Sequence, residues 1–293
     1  MHIPVLFNEV IRVMEPKEGE VFVDGTFGGG GHAQGLLKLL GSSGKLIGID
    51  ADEEAIRKGK DLFSGRENVR LVQGNYAEIA AILENEGIER IDGLLLDLGF
   101  SSFQIDSETR GFSFKFPAAP LDMRYGPRSE RAEEILNAWD EKSLMHIFRK
   151  FGEERYAGRI ARKIIAERKK NPIRTVGDLL NIVERTVPFK KGRGARIHPA
   201  TRIFQALRIA ANDELGNLES ALSALPSIMN PGGRVAIISF HSLEDREVKT
   251  HFRGLAASGR ATVVTKKPIV PGPEEIGENP RSRSAKLRAV VFS

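Results

Sequence analysis

Three aspartates stand where apolar runs end: Asp24 after Val21-Phe-Val, Asp50 after Lys45-Leu-Ile-Gly-Ile, and Asp97 after Leu94-Leu-Leu. The first is followed at once by Gly25-Thr-Phe-Gly-Gly-Gly-Gly31 and His32. Glycines at that density let a backbone turn sharply and bring a ligand into contact with main-chain atoms. Gly28-x-Gly30-x-x-Ala33, with Asp50 about twenty residues further on, has the spacing of a dinucleotide fingerprint and permits an NAD reading. The chemistry points elsewhere. A pyrophosphate needs uncluttered N–H groups and positive potential, whereas this loop opens on a carboxylate and holds no Lys or Arg. Asp24 repels phosphate and suits a ligand carrying an ammonium and a sulfonium, as S-adenosylmethionine does. Asp50 accepts hydrogen bonds from ribose hydroxyls under either reading. No Gly-Lys-Ser/Thr follows the glycines, which argues against a nucleoside triphosphate. A glycine turn without a ligand is the plain structural alternative.

Asp97-Leu-Gly-Phe-Ser-Ser102 and Ser239-Phe-His-Ser-Leu-Glu-Asp-Arg246 end two further apolar runs. In open α/β sheets ligands lie outside the carboxyl ends of the strands, so Asp97 and His241 are expected on the side of Asp24 and Asp50. Asp97 either accepts from an amine or caps backbone N–H groups. Ser242 to Asp245 has the spacing of a helix capping box, which is compatible with His241 facing the cavity or serving structure alone. No histidine stands at metal-ligand spacing beside the three aspartates, so no metal is expected. A serine-hydrolase triad fits poorly, because no Gly-x-Ser-x-Gly elbow is present. Arg110-Gly-Phe-Ser-Phe-Lys-Phe116, followed by Pro120-Leu-Asp-Met-Arg124, alternates aromatic with small or basic residues. A surface that stacks bases has that composition; phenylalanines plugging the joint between core and insertion give the same pattern. Phe189-Lys-Lys-Gly-Arg-Gly-Ala-Arg196 suits phosphate contact or is a solvated loop, and Pro280-Arg-Ser-Arg-Ser-Ala-Lys-Leu-Arg288 adds a second basic segment.

These residues must be held by the elements around them. Strand patterns over 20–24, 45–50, 69–73 and 91–97 alternate with helical ones, including a helix opening at Asp52 as N-cap before Glu53 and Glu54. That alternation predicts an α/β fold with a doubly wound, mostly parallel sheet. The pattern breaks after Gly99. Over 104–200 no strand is evident, and helices are expected at 129–138, 140–151, 153–170 and 175–186. The third carries Tyr156, Ile160 and Ile164 on one face, with Arg155, Arg159, Arg162, Lys163, Arg168, Lys169 and Lys170 over much of the rest. One long helix is expected from 200 to 229, then the strand Val235-Ala-Ile-Ile-Ser-Phe240, and finally an antiparallel edge pair at 261–266 and 286–293. A sheet that resumes after a helical block makes the block an insertion. Residues 1–103 and 201–293 then form a cofactor-binding core, and 104–200 an all-helical domain that recognises substrate.

With 293 residues the chain holds one large domain or two modest ones. Its 41% hydrophobic and 28% charged content is that of a soluble globular protein. No apolar run reaches membrane-spanning length, and Met1-His-Ile-Pro4 lacks the regions of a signal peptide; a cytoplasmic location without membrane contact is expected. Zero cysteines exclude disulfides, thiolate zinc sites, iron–sulfur clusters and any cysteine nucleophile, including the usual route to carbon-5 pyrimidine methylation.

Taken together, His2-Ile-Pro-Val5, Asp24-Gly-Thr-Phe-Gly28 with Gly30-Gly-His32, Asp97-Leu-Gly-Phe-Ser-Ser102, Arg110-Gly-Phe-Ser-Phe114, Pro120-Leu-Asp-Met-Arg124, Ser239-Phe-His-Ser-Leu-Glu-Asp-Arg246 and Asn279-Pro-Arg-Ser-Arg283 occur in order. In this set the chain closely resembles, over nearly its whole length, the bacterial small-subunit (16S) rRNA cytosine-N4 methyltransferases, the RsmH or MraW family. The resemblance implies a class I, Rossmann-like methyltransferase core with a helical insertion, and methylation of one cytosine in the decoding centre of the small ribosomal subunit. Carried over by position, the cofactor contacts are Gly30, Gly31, His32, Asp50, Tyr76, Asp97 and Gln104. Phe100 stands where the family commonly has valine and Tyr125 where it often has methionine, which bears on the shape of the substrate pocket.

The expected reaction is in-line transfer to an amine. Asp97 with the Ser101 and Ser102 hydroxyls or backbone would accept its N–H groups, His241 and Asp245 are second candidates, and Phe112 or Phe114 would hold the unstacked base. The expected partner is 16S rRNA or the small subunit, with no obligate protein partner and a monomeric or homodimeric state. Rival readings are an RNA-binding assembly factor that keeps a cofactor pocket, a methyltransferase of the same fold acting on a non-RNA substrate, and an NAD-dependent oxidoreductase.

Overall fold

The computed structural model describes residues 4–100, 102–188 and 198–293. Val21–Asp24 (β1), Lys45–Asp50 (β2), Val69–Gln73 (β3), Ile91–Asp97 (β4) and Met229–Ser239 (β5) pair in parallel, in the order β3-β2-β1-β4-β5. Ala261–Val263 (β6) and Lys286–Phe292 (β7) complete a seven-stranded sheet, with β7 antiparallel between β5 and β6. The expected doubly wound, mostly parallel α/β sheet is thus present. Strand order reverses between β1 and β4. Loops leaving those two strands diverge there, and the crevice at their carboxyl ends is where such sheets bind ligands.

Alternation along the strands sorts side chains to two apolar layers. Val23, Ile47, Leu94, Leu96 and Ile237 enter one, and Phe22, Leu46, Leu95, Ala236 and Ile238 the other. Helices cover each layer with one face. Gly31–Leu40 buries Ala33, Leu36, Leu37 and Leu40, the one-three-four spacing of a helical stripe. Glu53–Leu62 starts as expected at Asp52, whose carboxylate accepts from the Glu54 N–H at 3.0 Å.

The chain forms two compact units, Met1–Gly99 with Leu215–Ser293 and Phe100–Glu214. The border expected near 200 moves to Glu214, because Ala200, Ile203, Phe204 and Leu207 of the helix Pro199–Asn212 belong to the helical unit's own core. That core also takes Leu144, Phe148, Ile160, Ile164, Leu179 and Val183 from Glu141–Lys150, Ala157–Arg168 and Val176–Thr186.

Two further expectations need correction. The single helix over 200–229 is two, Pro199–Asn212 and Glu214–Ile228, broken at Asp213 with φ +46°. Aspartate tolerates that left-handed conformation, and Asn212 is held on both sides of its amide, accepting from Tyr125 N–H at 2.7 Å and donating to Met123 O at 2.8 Å. β5 starts six residues earlier than Val235, at Met229. Asn230 donates to Asp92 Oδ1 at 2.7 Å, and the pairing shifts register between Ile91 and Gly93, so the Pro-Gly-Gly segment is absorbed into the strand.

Candidate active site

The glycine turn is shaped by what has no room. A methyl group on Gly25 would lie 2.5 Å from Leu96 Cδ2 and 3.3 Å from Tyr76 Cβ. Its absence lets the Gly25 N–H donate to Leu95 O at 2.9 Å, so the chain leaving β1 stays against β4. Phe27 anchors the turn from beneath. Its N–H donates to Ile49 O at 2.9 Å, and its buried ring occupies the space where side chains on Gly48 and Gly59 would stand, each 2.5 Å from a ring carbon. Gly30, at φ +72°, then closes the turn by donating to Phe27 O at 2.8 Å.

The aspartates hold this turn and are perturbed by it. Asp50 accepts from the Gly28 N–H at 2.7 Å through Oδ2 and from Asp52 N–H at 2.8 Å through Oδ1. Asp24 is buried and accepts from Thr26 N–H at 3.2 Å. Thr26 links β1 to β4, its Oγ1 accepting from Asp97 N–H at 2.6 Å. Asp97 Oδ2 lies 3.8 Å from Nε2 of buried His32, whose ring stacks on Phe7 at 6.0 Å. Asp97 Oδ1 is buried with no hydrogen-bond partner among the described residues. Burial above all pushes Asp97 up to about 8, with the charges of Asp24 and Glu244 adding to it. Burial likewise raises Asp24 to about 7; the Thr26 N–H opposes this and the Asp50 charge adds to it. No Lys or Arg pairs with either carboxylate among the described residues. A cation entering here meets carboxyls that gain most by ionising beside it.

At the end of β5 the helix Ser242–Ala257 begins one residue earlier than the expected capping box. His241 is the N-cap, its Nδ1 accepting from Glu244 N–H at 3.3 Å, and Glu244, not Asp245, closes the box. Buried Glu244 Oε2 accepts from the N–H groups of Phe240 at 2.8 Å and His241 at 3.3 Å. Asp245, expected as a second proton acceptor, is instead bound by Arg288 Nε at 2.7 Å and Lys286 Nζ at 3.3 Å. Burial alone would raise its carboxyl, but the hydrogen bonds and charges of Arg288 and Lys286 outweigh that and lower it. No interaction joins Asp245 to Asp97 among the described residues. Two cations of the carboxyl-terminal basic segment are thereby committed to structure.

Gly30, Gly31, His32, Asp50, Tyr76, Asp97 and His241 all lie in the sheet unit, in or just after the carboxyl ends of β1, β2, β3, β4 and β5. Tyr76 opens the short 3-10 turn Tyr76–Glu78 after β3, capped by Asn75. Ser102 and Gln104 belong to the helical unit, in the short helix Ser102–Ile105. Ser101, Met1 to Ile3 and the basic run Phe189 to Arg196 lie outside the described residues. The aromatic cluster differs from a base-stacking surface. Phe112 has Phe100 at 5.7 Å and Tyr125 at 5.9 Å, and Phe114 packs edge-on against Phe204 at 4.5 Å. These rings pack within the helical unit. Thr26, Phe27 and Glu244 are site residues that sequence reasoning missed. Only their places inside the two strand-end motifs could have signalled them.

Comparison with known proteins gives the chain's family. The family model described as the MraW methylase family matches residues 1–293. A Geobacter sp. (strain M21) protein named ribosomal RNA small subunit methyltransferase H is 47% identical, the alignment covering 99% of this chain and 97% of the relative. One of the same name from Deinococcus radiodurans is also 47% identical, covering 98% of this chain and 88% of the relative. Among solved structures, an rRNA methylase from Streptococcus thermophilus is 13% identical with a TM-score of 0.42, over 98% of this chain and 93% of the other. The family match and these relatives together show that the chain belongs to the MraW methylase family.

Proposed function

We propose that this protein transfers a methyl group from S-adenosylmethionine to the exocyclic N4 of a cytosine in the decoding centre of 16S rRNA. The observation that carries the reading is the pair of carboxyls, buried Asp24 and partly buried Asp97, flanking the β1–β4 switch point with no Lys or Arg paired to them among the described residues. The residues present fit the cofactor: Asp97 Oδ1 lacks a hydrogen-bond partner among the described residues, and the acidic groups suit a cation. When bound, S-adenosylmethionine would supply an electrophilic methyl on a sulfonium sulfur, with a neutral thioether as the leaving group.

Gly30, Gly31, His32, Tyr76, Asp97 and Gln104 hold the cofactor, and Asp50, already oriented by two backbone N–H groups, accepts from the ribose hydroxyls. The chain's task at the target is to present a poor nucleophile, since the amine lone pair is delocalised into the ring. Asp97 accepts an N–H of the amine, which raises electron density on nitrogen and fixes its approach. As the nitrogen–carbon bond forms, the amine gives up one proton to Asp97, which passes it to water. Ser101 and Ser102 offer further acceptors, and His241 is the second candidate for the proton. Asp245 acts by position: tied to Arg288 and Lys286, it fixes the helix that carries Glu244. The helical unit recognises the RNA. The enzyme works in the cytoplasm as a monomer or homodimer without an obligate protein partner; among the described residues no helix is long and apolar enough to cross a membrane.

The test is transfer of labelled methyl from S-adenosylmethionine to small subunits lacking the modification, with naked 16S rRNA in parallel and the nucleosides resolved by mass spectrometry. Label in N4-methylcytidine is expected. Label in another nucleoside refutes the substrate, and undiminished turnover by Asp97→Ala refutes the role of Asp97.

A further inference from the structure

The helix Ala157–Arg168 buries Ala157, Ile160, Ala161 and Ile164. At 100° per residue, the opposite face carries Arg159, Arg162 and Lys163, with Arg155 in the turn that leads into the helix and Lys169 and Lys170 in the turn that follows it. Exposure follows from the packing, and so does the state of each charge. Lys163 and Lys170 are paired with Glu167, and Arg162 with Glu141. Arg155, Arg159 and Lys169 are exposed and have no carboxylate in ion-pair range among the described residues. The two guanidinium groups nonetheless lie against an aromatic ring. Arg155 lies 4.7 Å and Arg159 5.8 Å from the ring centre of Tyr156, which is itself anchored through its N–H to buried Glu154 at 2.8 Å.

We propose that this face docks the phosphate backbone of the RNA substrate, with Arg155 and Arg159 as its two principal contacts. The inference rests on the reading of RNA as substrate and names the surface that grips it. Unpaired arginines held in place lose little side-chain freedom on binding, and a guanidinium on a ring keeps its N–H edge for phosphate oxygens. A solvated, merely solubilising face would gain nothing from holding them on Tyr156.

The experiment measures binding of full-length protein to in vitro transcribed 16S rRNA across salt concentration, for wild type and Arg155→Gln/Arg159→Gln. Two lost phosphate contacts make the log–log salt slope shallower by about 1.4, at about 0.7 per contact for single-stranded RNA. If the electrostatic difference vanishes at 1 M salt, that slope corresponds to about 25-fold weaker binding at 0.1 M. Arg155→Lys/Arg159→Lys should keep the slope, Lys163→Gln should change it less because Glu167 already neutralises that ammonium, and S-adenosylmethionine affinity should stay unchanged in all. An unaltered slope in the Gln double variant overturns the proposal. So does an unaltered slope on the transcript with weaker binding to intact small subunits, which would assign the face to a protein. Wild-type protein that binds RNA with the expected slope but transfers no methyl would refute the proposed function and leave this face standing.

Discussion

Replacing Asp97 by Asn should flatten the dependence of stability on pH. In the unfolded chain this carboxyl ionises near 3.8, and in the fold at about 8. Between those values the native state binds one proton more than the unfolded state. Stability attributable to Asp97 is therefore complete at acid pH and declines as pH rises, until the folded carboxyl itself ionises. The slope is about 1.4 kcal/mol per pH unit for one such group. From pH 5 to pH 7 the cofactor-free wild type should thus lose up to about 3 kcal/mol more than Asp97→Asn. Solvent reaches 26% of the Asp97 side chain, which makes that figure an upper bound. The single tryptophan, Trp139, lies in the helical unit, so its fluorescence reports on the wrong part of the chain. Hydrogen exchange of β1 and β4 amides at several pH values, corrected for intrinsic rates, reads the sheet unit directly. Parallel profiles for the two proteins would refute the argument that Asp97 is held protonated by its burial.

Because a cation favours the ionised forms of Asp24 and Asp97, S-adenosylmethionine affinity should rise with pH between about 6 and 8, by at most about tenfold per unit per proton released. Titration calorimetry in buffers of differing ionisation heat would show that release, and a flat profile would contradict it. Gly25→Ala forces Leu96 or the strand to move, costing about 1–3 kcal/mol and weakening cofactor binding; chemical denaturation and equilibrium binding check both. Glu244→Ala strands the Phe240 and His241 N–H groups, at about 1–3 kcal/mol each, whereas Glu244→Gln keeps an acceptor and should lose much less. Arg288→Met leaves Asp245 largely without its partner in a half-buried setting, for a loss of about 3 kcal/mol that the double variant Arg288→Met/Asp245→Leu should largely restore.

Much of this protein was legible in its residues, and each legible part has a local cause. Strand patterns, the Asp52 cap and the change of period after Gly99 are written in side-chain spacing, which short-range sterics and burial translate directly. The acid at the head of the glycine turn spoke against phosphate before any fold was known. The helix break at Asp213 was hidden because apolar spacing continues across it; the side chain of Asn212, held by residues 123 and 125, decides it. The capping box lies one residue before the Ser242-to-Asp245 spacing, because His241, a less usual cap, takes the N-cap position.

The sequence by itself determined the class of fold, the family and the kind of ligand, because these depend on residue types at fixed local intervals. Tertiary structure alone decided which carboxyls are perturbed. Asp24, Asp97 and Glu244 are separated by up to 220 residues, and only parallel pairing of β1, β4 and β5 brings their charges close enough in a dry place to raise Asp97. Asp245 sits beside Glu244 in the chain, yet the antiparallel arrival of β7 gives it hydrogen bonds from Arg288 and Lys286 that lower its carboxyl. Burial and Coulomb interactions act through space, so neither outcome can be read from neighbours along the chain.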